Sequence, residues 1–192
     1  MSIQAQVIPV SIDHFLAEVE TSEARNEYVD GRVVAMGGGT IEHGAIVQSI
    51  GSVLYAKLTG TPCRVHSQGT YLKVERTQNL FLPDVMVYCG EKKFERRGVD
   101  LLLNPVVVIE VLSNSTADYD HGTKWENYRQ ISSLQDYLLV FQDEPLVERY
   151  SRHGEGFWLF SETAGLDASV RLDSIGTEIS LAEIYRDVLP RG

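Results

Sequence analysis

The sequence predicts an α/β (α+β) fold, one mixed β-sheet flanked by helices. Three observations carry that expectation: helical periodicity in several separated segments, apolar β-type runs between them, and an order of helix, hairpin, helix, strands, helix, strands. At 192 residues with 43% apolar content, the chain can bury one substantial core, so a single domain over residues 1–192 is expected. It has no apolar run of about 18 residues. Its opening, MSIQAQVIPVSIDHFLAEVE, has no basic region leading into an apolar stretch and cleavage site, so a cytoplasmic location without a membrane partner is expected.

The elements follow in order. Ile12, Phe15, Leu16 and Val19 repeat at helical spacing behind Ser11 as N-cap, which predicts a short amphipathic helix over Ser11–Glu20. NEYVDGRVVAMGGG reads as a hairpin about Asp30-Gly31, running into three glycines that lack the Lys-Ser/Thr of a phosphate loop. Ile46, Ile50, Val53, Leu54 and Leu58 fall on one face of a helix from about His43 to Leu58, stopped by Gly60. CRVHSQGTYLKVE and LFLPDVMVYCG read as strand runs joined by the polar turn RTQN. A third run, Leu101 to Leu112, is broken only at Asn104-Pro105. A helix is favoured from Ala117 to Gln130, with Ser115 or Thr116 as cap and Asp118 in its first turn. LQDYLLVFQDE is expected as a central strand, LVERYSRHGEGFWLFSE as a hairpin around Gly154–Gly156, and SLAEIYRDVL as a closing helix.

The net charge of −10 sits unevenly, with 10 Lys/Arg against 11 Asp/Glu in residues 1–97 and 7 against 16 in residues 98–192. Lys92, Lys93, Arg96 and Arg97 within EKKFERRG form a local basic patch, expected as a loop at the rim of the site and as the best candidates for phosphate contact. Cys63 and Cys89 stand 26 positions apart without a second pair or a histidine at ligand spacing, so free buried thiols are expected.

Glu110 poses the sharpest question, because a carboxylate in an apolar strand costs several kcal/mol unless a cation compensates it. Asp84, after Pro83 in LFLPDVMVY, poses the same question one strand earlier, and pairing of the two strands would bring the acids together. Asp120, Lys124 and Tyr128 follow at i, i+4 and i+8 on the next helix, forming one stripe that can face the strand. Two acids and a lysine in one cleft suffice for metal-assisted phosphodiester hydrolysis with Mg²⁺ or Mn²⁺. The plainer alternatives are a solvent-side Asp120/Lys124 ion pair, turn chemistry at Asp84 and an amide cap at Glu110. Ser113 and Ser115 are explained as caps, with no histidine in a triad context; His121 is expected at the surface.

Pro83-Asp84, EVLSNST from Glu110 to Thr116, and then Asp120, Lys124 and Tyr128 resemble the PD-(D/E)XK nuclease superfamily, and specifically the Uma-two family of restriction-endonuclease-like bacterial proteins. NEYVDGRVVAM and TIEHGAIVQSI resemble the opening of that family, so the likeness runs from about Ser11 to the closing helix. The resemblance implies a restriction-endonuclease-like core, Asp84 and Glu110 as metal-binding acids, and Lys124 as catalytic lysine. The usual lysine position, two residues after the second acid, holds Leu112, so the lysine is displaced onto the next helix. Glu27 and His43 stand where related sites add an acid and a polar group, and Gln68 is a further candidate for lining the cleft. For Glu27 the alternative is a hairpin surface carboxylate. The resemblance implies a nucleic acid partner, DNA foremost, and a homodimer is expected through Phe157, Trp158, Leu159 and Phe160 of GFWLF. Two other readings stay open: a catalytically inactive nuclease-fold binding or scaffold module, which suits the acidic C-terminal half, and a hydrolase of a small phosphorylated substrate.

Overall fold

The computed structural model describes residues 9–22, 24–113, 116–154, 156–186 and 188. Ser11 opens α1 (Ile12–Val19) by accepting the His14 amide. The hairpin of β1 (Asn26–Val29) and β2 (Arg32–Ala35) turns through Asp30 and Gly31, both at positive φ as a tight two-residue turn requires. Thr40 caps α2 (Ile41–Leu58), two residues before the sequence places it. Strands β3 (Cys63–Ser67), β4 (Tyr71–Val74), β5 (Asn79–Phe81), β6 (Val85–Cys89), β7 (Phe94–Arg97), β8 (Val99–Leu102) and β9 (Val107–Leu112) then succeed one another. After α3 (Ala117–Tyr119), a π-helical turn (Asp120–Lys124) and α4 (Trp125–Tyr128) come β10 (Asp136–Phe141), β11 (Leu146–Arg152), β12 (Trp158–Ala164), β13 (Ser169–Leu172), β14 (Thr177–Ser180) and α5 (Leu181–Ile184).

The strands form two six-stranded mixed sheets instead of the one expected. The first is ordered β2-β1-β5-β4-β8-β7, the second β12-β11-β10-β9-β6-β3, and β13-β14 form a separate hairpin. The apolar runs are interrupted where backbone chemistry demands it: at Gln68-Gly69, both at positive φ, at Pro83, and at Asn104-Pro105. At each interruption the chain crosses from one sheet to the other, so a run that reads as one strand supplies two.

Layering follows from strand alternation. On β9, Val107, Ile109 and Val111 pack towards α2 with Ile46, Ile50 and Leu54, whereas Val108 and Leu112 point between the sheets with Phe81, Tyr128 and Tyr137. Phe15 and Leu16 of α1 close the outer face of the first sheet over Tyr71, Leu80 and Leu101. The closing helix is a single capped turn, Ser180 and Glu183 forming a capping box. No helix among the described residues is long and apolar enough to cross a membrane.

Candidate active site

Asp84 and Glu110 meet because β6 and β9 pair antiparallel with Val85 opposite Ile109, leaving Asp84 beside Glu110 at the end of the ladder. Both belong to the even-numbered face, with Met86, Val108 and Leu112, and so point between the sheets. The Asp84 amide donates to Glu110 Oε2 at 3.3 Å, and the Val111 amide donates to Asp84 Oδ2 at 2.9 Å. His43, in the first turn of α2, brings Nε2 to 3.2 Å from the same Asp84 oxygen.

Lys124 is delivered by the π-helical turn, whose extra residue per turn marks many functional sites. Its Nζ stands 3.0 Å from Glu110 Oε1, 3.0 Å from Asp120 Oδ1 and 3.7 Å from Glu27 Oε1, and all four residues are buried. Tyr128, one turn on, donates its hydroxyl to Glu110 Oε1 at 2.8 Å. Glu27 is held from above: the Leu82 amide donates to Oε1 and the Tyr119 hydroxyl to Oε2, each at 2.8 Å. The stripe of Asp120, Lys124 and Tyr128 is therefore present and faces inward, so the solvent-side ion pair does not apply. Glu27 is likewise no surface carboxylate.

One ammonium serves three carboxylates here, with Asp84 as a fourth close by. Asp120 Oδ1 is buried without a well-aimed hydrogen bond, although Lys124 stands 3.0 Å away. Burial pushes the Glu110 carboxyl well above its ordinary range; Lys124 opposes this, while Asp120, Asp84 and Glu27 add to it. Burial alone would lower Lys124, but Glu110, Glu27 and Asp120 together hold it well above its ordinary value, so it remains an ammonium. The bond to Asp84 raises His43 against its own desolvation. Burial, reinforced by Glu110, keeps the Tyr128 phenol protonated.

A pocket of about 340 Å³ opens onto this cluster, lined by Asp84, Glu110, Asp120, Lys124, His43 and Gln68. Its wall also includes Arg25, Gly37 to Gly39, Ser113 and Thr116, which sequence reasoning did not assign to the site. The glycine run beside the Thr40 cap was the available signal. Ser115, the alternative cap for the next helix, lies outside the described residues; Thr116 takes the cap position and exchanges contacts with Ser113.

Several expectations need correction. Residues 94–97 form β7, the edge strand of the first sheet farthest from β1, so Lys92, Lys93, Arg96 and Arg97 do not line the pocket. Arg97 pairs with Asp13 and Glu95, Arg96 reaches Asp100, and Lys92 lies over the Phe94 ring. His121 is not a plain surface residue: its ring bonds the Ala117 carbonyl at 2.8 Å and Glu148 Oε2 at 2.7 Å. Cys63 and Cys89 are disulfide-bonded, because they are direct partners in the β3–β6 ladder, which spacing of 26 could not reveal. Of the GFWLF residues, Phe157, Leu159 and Phe160 are exposed while Trp158 packs inward on Trp125.

Among the described residues no group of three or more His, Cys, Asp or Glu side chains is arranged to hold an ion. Two carboxylates in register on one pocket wall nevertheless fit a hard cation such as Mg²⁺, which is commonly bound by one or two carboxylates while water and substrate phosphate complete its shell.

Comparison with known proteins gives concordant results. A protein of Synechocystis sp., "Uncharacterized protein slr1290", is 33% identical over 177 residues, which cover 92% of each chain. A second from the same organism, "Uncharacterized protein sll1609", is 28% identical over 170 residues, 88% of this chain and 96% of the other. The crystal structure of a "putative nuclease belonging to DUF820" from Anabaena variabilis superposes with a TM-score of 0.73 at 19% identity, covering 94% of this chain and all of that one, which shows a shared fold. The Uma2 family, described as "Putative restriction endonuclease", matches residues 12–182, and the chain belongs to that family.

Proposed function

We propose that the protein is a metal-dependent nuclease that hydrolyses phosphodiester bonds at Asp84, Glu110 and Lys124. The observation that carries this reading is the convergence, on one open pocket, of two carboxylates in register and a buried lysine held in its charged form. Asp84 and Glu110 would hold Mg²⁺ or Mn²⁺, which when bound polarises a phosphoryl oxygen and makes a water molecule more acidic. The chain's own residues do the rest. Lys124, fixed as an ammonium, donates hydrogen bonds and offsets charge that develops on the phosphate; it does not act as a base. Tyr128 and the Asp84 amide hold the Glu110 carboxylate in one orientation. His43 and the Val111 amide do the same for Asp84. Arg25, on the pocket wall, supplies positive charge for an incoming phosphate.

Incubation at low salt with Mg²⁺ or Mn²⁺ and duplex DNA, single-stranded DNA or RNA tests the reading, beside folded Asp84→Asn and Lys124→Ala variants. Cleavage by the wild type that disappears in both variants and on chelation is the expected result. Absence of cleavage, together with no calorimetric sign of Mn²⁺ binding, would leave a nuclease fold serving as a binding module.

A further inference from the structure

Gln68 occupies a junction that the acidic pocket alone does not explain. It follows β3 at φ +55, unusual for a residue with a side chain, and it lines three openings at once. These are the acidic pocket, a cavity of about 520 Å³ along α2, and one of about 350 Å³ beside Arg25 and Tyr71. The cavity along α2 continues into another of about 300 Å³, with which it shares Tyr55 and Val65. The four adjoin through shared lining residues, a candidate passage that meets the acidic pocket at Arg25, Gly44, Gln68 and Leu82.

The passage has a definite chemistry. Its floor is one face of α2, where Gly44, Gln48, Ser52 and Tyr55 recur at helical spacing. Gly51 lets α2 and β3 approach, since a Cβ there would collide with the Ser67 hydroxyl. The lining along α2 carries no carboxylate among the described residues, in a chain of net charge −10. Tyr55 is 71% exposed, and Arg25 and Arg64 stand towards opposite ends.

We propose that this groove carries one strand of nucleic acid past the acidic pocket, with a base stacked on Tyr55 and phosphates met by Arg25 and Arg64. The inference rests on the nuclease reading and names its substrate as single-stranded. Gly44 to Tyr55 spans about 16 Å of helix, room for about four or five stacked nucleotides at about 3.4 Å each. A duplex carries one charge per about 1.7 Å and calls for a broad basic face, which two arginines do not make. A small phosphorylated substrate calls for an enclosed cavity, whereas the acidic pocket adjoins further open grooves that share its lining residues. Such a path suits internal cleavage of a strand.

The test is fluorescence anisotropy with labelled phosphorothioate oligo-dT and oligo-U of about twelve nucleotides, and the matching duplex, added to the full chain with Mg²⁺ at low salt. Single strands should bind more tightly than duplex, the oligo-dT and oligo-U arms distinguishing DNA from RNA. Tyr55→Ala should weaken single-strand binding about tenfold, and Tyr55→Trp should restore it. Gly44→Leu, whose Cβ meets nothing within 4 Å, should obstruct the junction without lowering thermal stability. Equal or tighter duplex binding, or a Tyr55→Ala curve that coincides with wild type, overturns the groove. Single-strand binding with these mutant effects but no cleavage of ordinary oligonucleotides overturns the nuclease reading and leaves the groove standing.

Discussion

Two buried charge clusters share the second sheet, and they are balanced differently. Asp136, at the start of β10, is met by Arg149 through Nε at 2.8 Å and Nη2 at 2.7 Å, while the Ser174 hydroxyl donates to its other oxygen. One acid has one cation and a hydroxyl, so each of its two oxygens, stripped of water by burial, finds a donor. Around Lys124, one ammonium faces Glu27, Glu110 and Asp120, and Asp84 adds a fourth carboxylate. The first arrangement fastens β10 to β11. The second gathers more carboxylates than cations beside a pocket open to solvent, an arrangement that is costly for folding.

Substitutions separate the two. Glu110→Gln retains an acceptor for Tyr128 but removes one surplus charge; cleavage should fall by about a thousandfold while the melting temperature holds or rises. A melting curve that collapses with activity would instead make Glu110 a structural acid. Asp136→Ala should do the reverse, costing about 3 kcal/mol because Arg149 loses its partner, with the cleavage rate per folded molecule unchanged; urea unfolding and a rate corrected for folded fraction measure both.

A smaller effect concerns the surplus charge itself. Mn²⁺ at about a hundred times its dissociation constant should stabilise the wild type by about 2.7 kcal/mol and Glu110→Gln by much less. Equal stabilisation of both would place the ion elsewhere.

The smallest effect is a pH dependence at the edge of the site. Its bonds to Ala117 and Glu148 raise His121 above its ordinary value of 6.5 against desolvation. Its contribution is therefore complete below that value and lost as pH rises through the raised folded-state pKa. Being partly exposed, the pair should be worth less than about 1 kcal/mol. The melting temperature of wild type relative to His121→Asn should show an advantage near pH 6 that shrinks by pH 8; a constant difference would assign it to packing.

The sequence made some of this legible and concealed the rest for physical reasons. Glu110 stood out because an acid in VVVIEVL contradicts its surroundings, and Lys124 was found because helical spacing survives one widened turn. Glu27 gave no such contradiction: a carboxylate in a short hairpin strand looks ordinary until Leu82 and Tyr119 close over it. The π-helical turn itself has no composition of its own. Lys92, Lys93, Arg96 and Arg97 were misplaced because nearness in sequence to Asp84 stops mattering once the chain crosses to the other sheet. The β13–β14 hairpin was missed because SVRLDSIGTEIS alternates over only four residues on each side of its turn.

The crossings between sheets also fix when the pocket can exist. The charged cluster beneath it is drawn from Glu27, Asp84, Glu110, Asp120 and Lys124, and β9 is flanked by β6, which precedes it, and β10, which follows it. During synthesis, a chain that has emerged only as far as Glu110 lacks both Asp120 and Lys124, and a chain that stops before β10 leaves the strand bearing Glu110 without one neighbour. Loop-closure entropy must be paid before such distant contacts are made. The acidic cluster is thus a property of a chain made past β10: shorter fragments carry part of the same set of residues without the constellation.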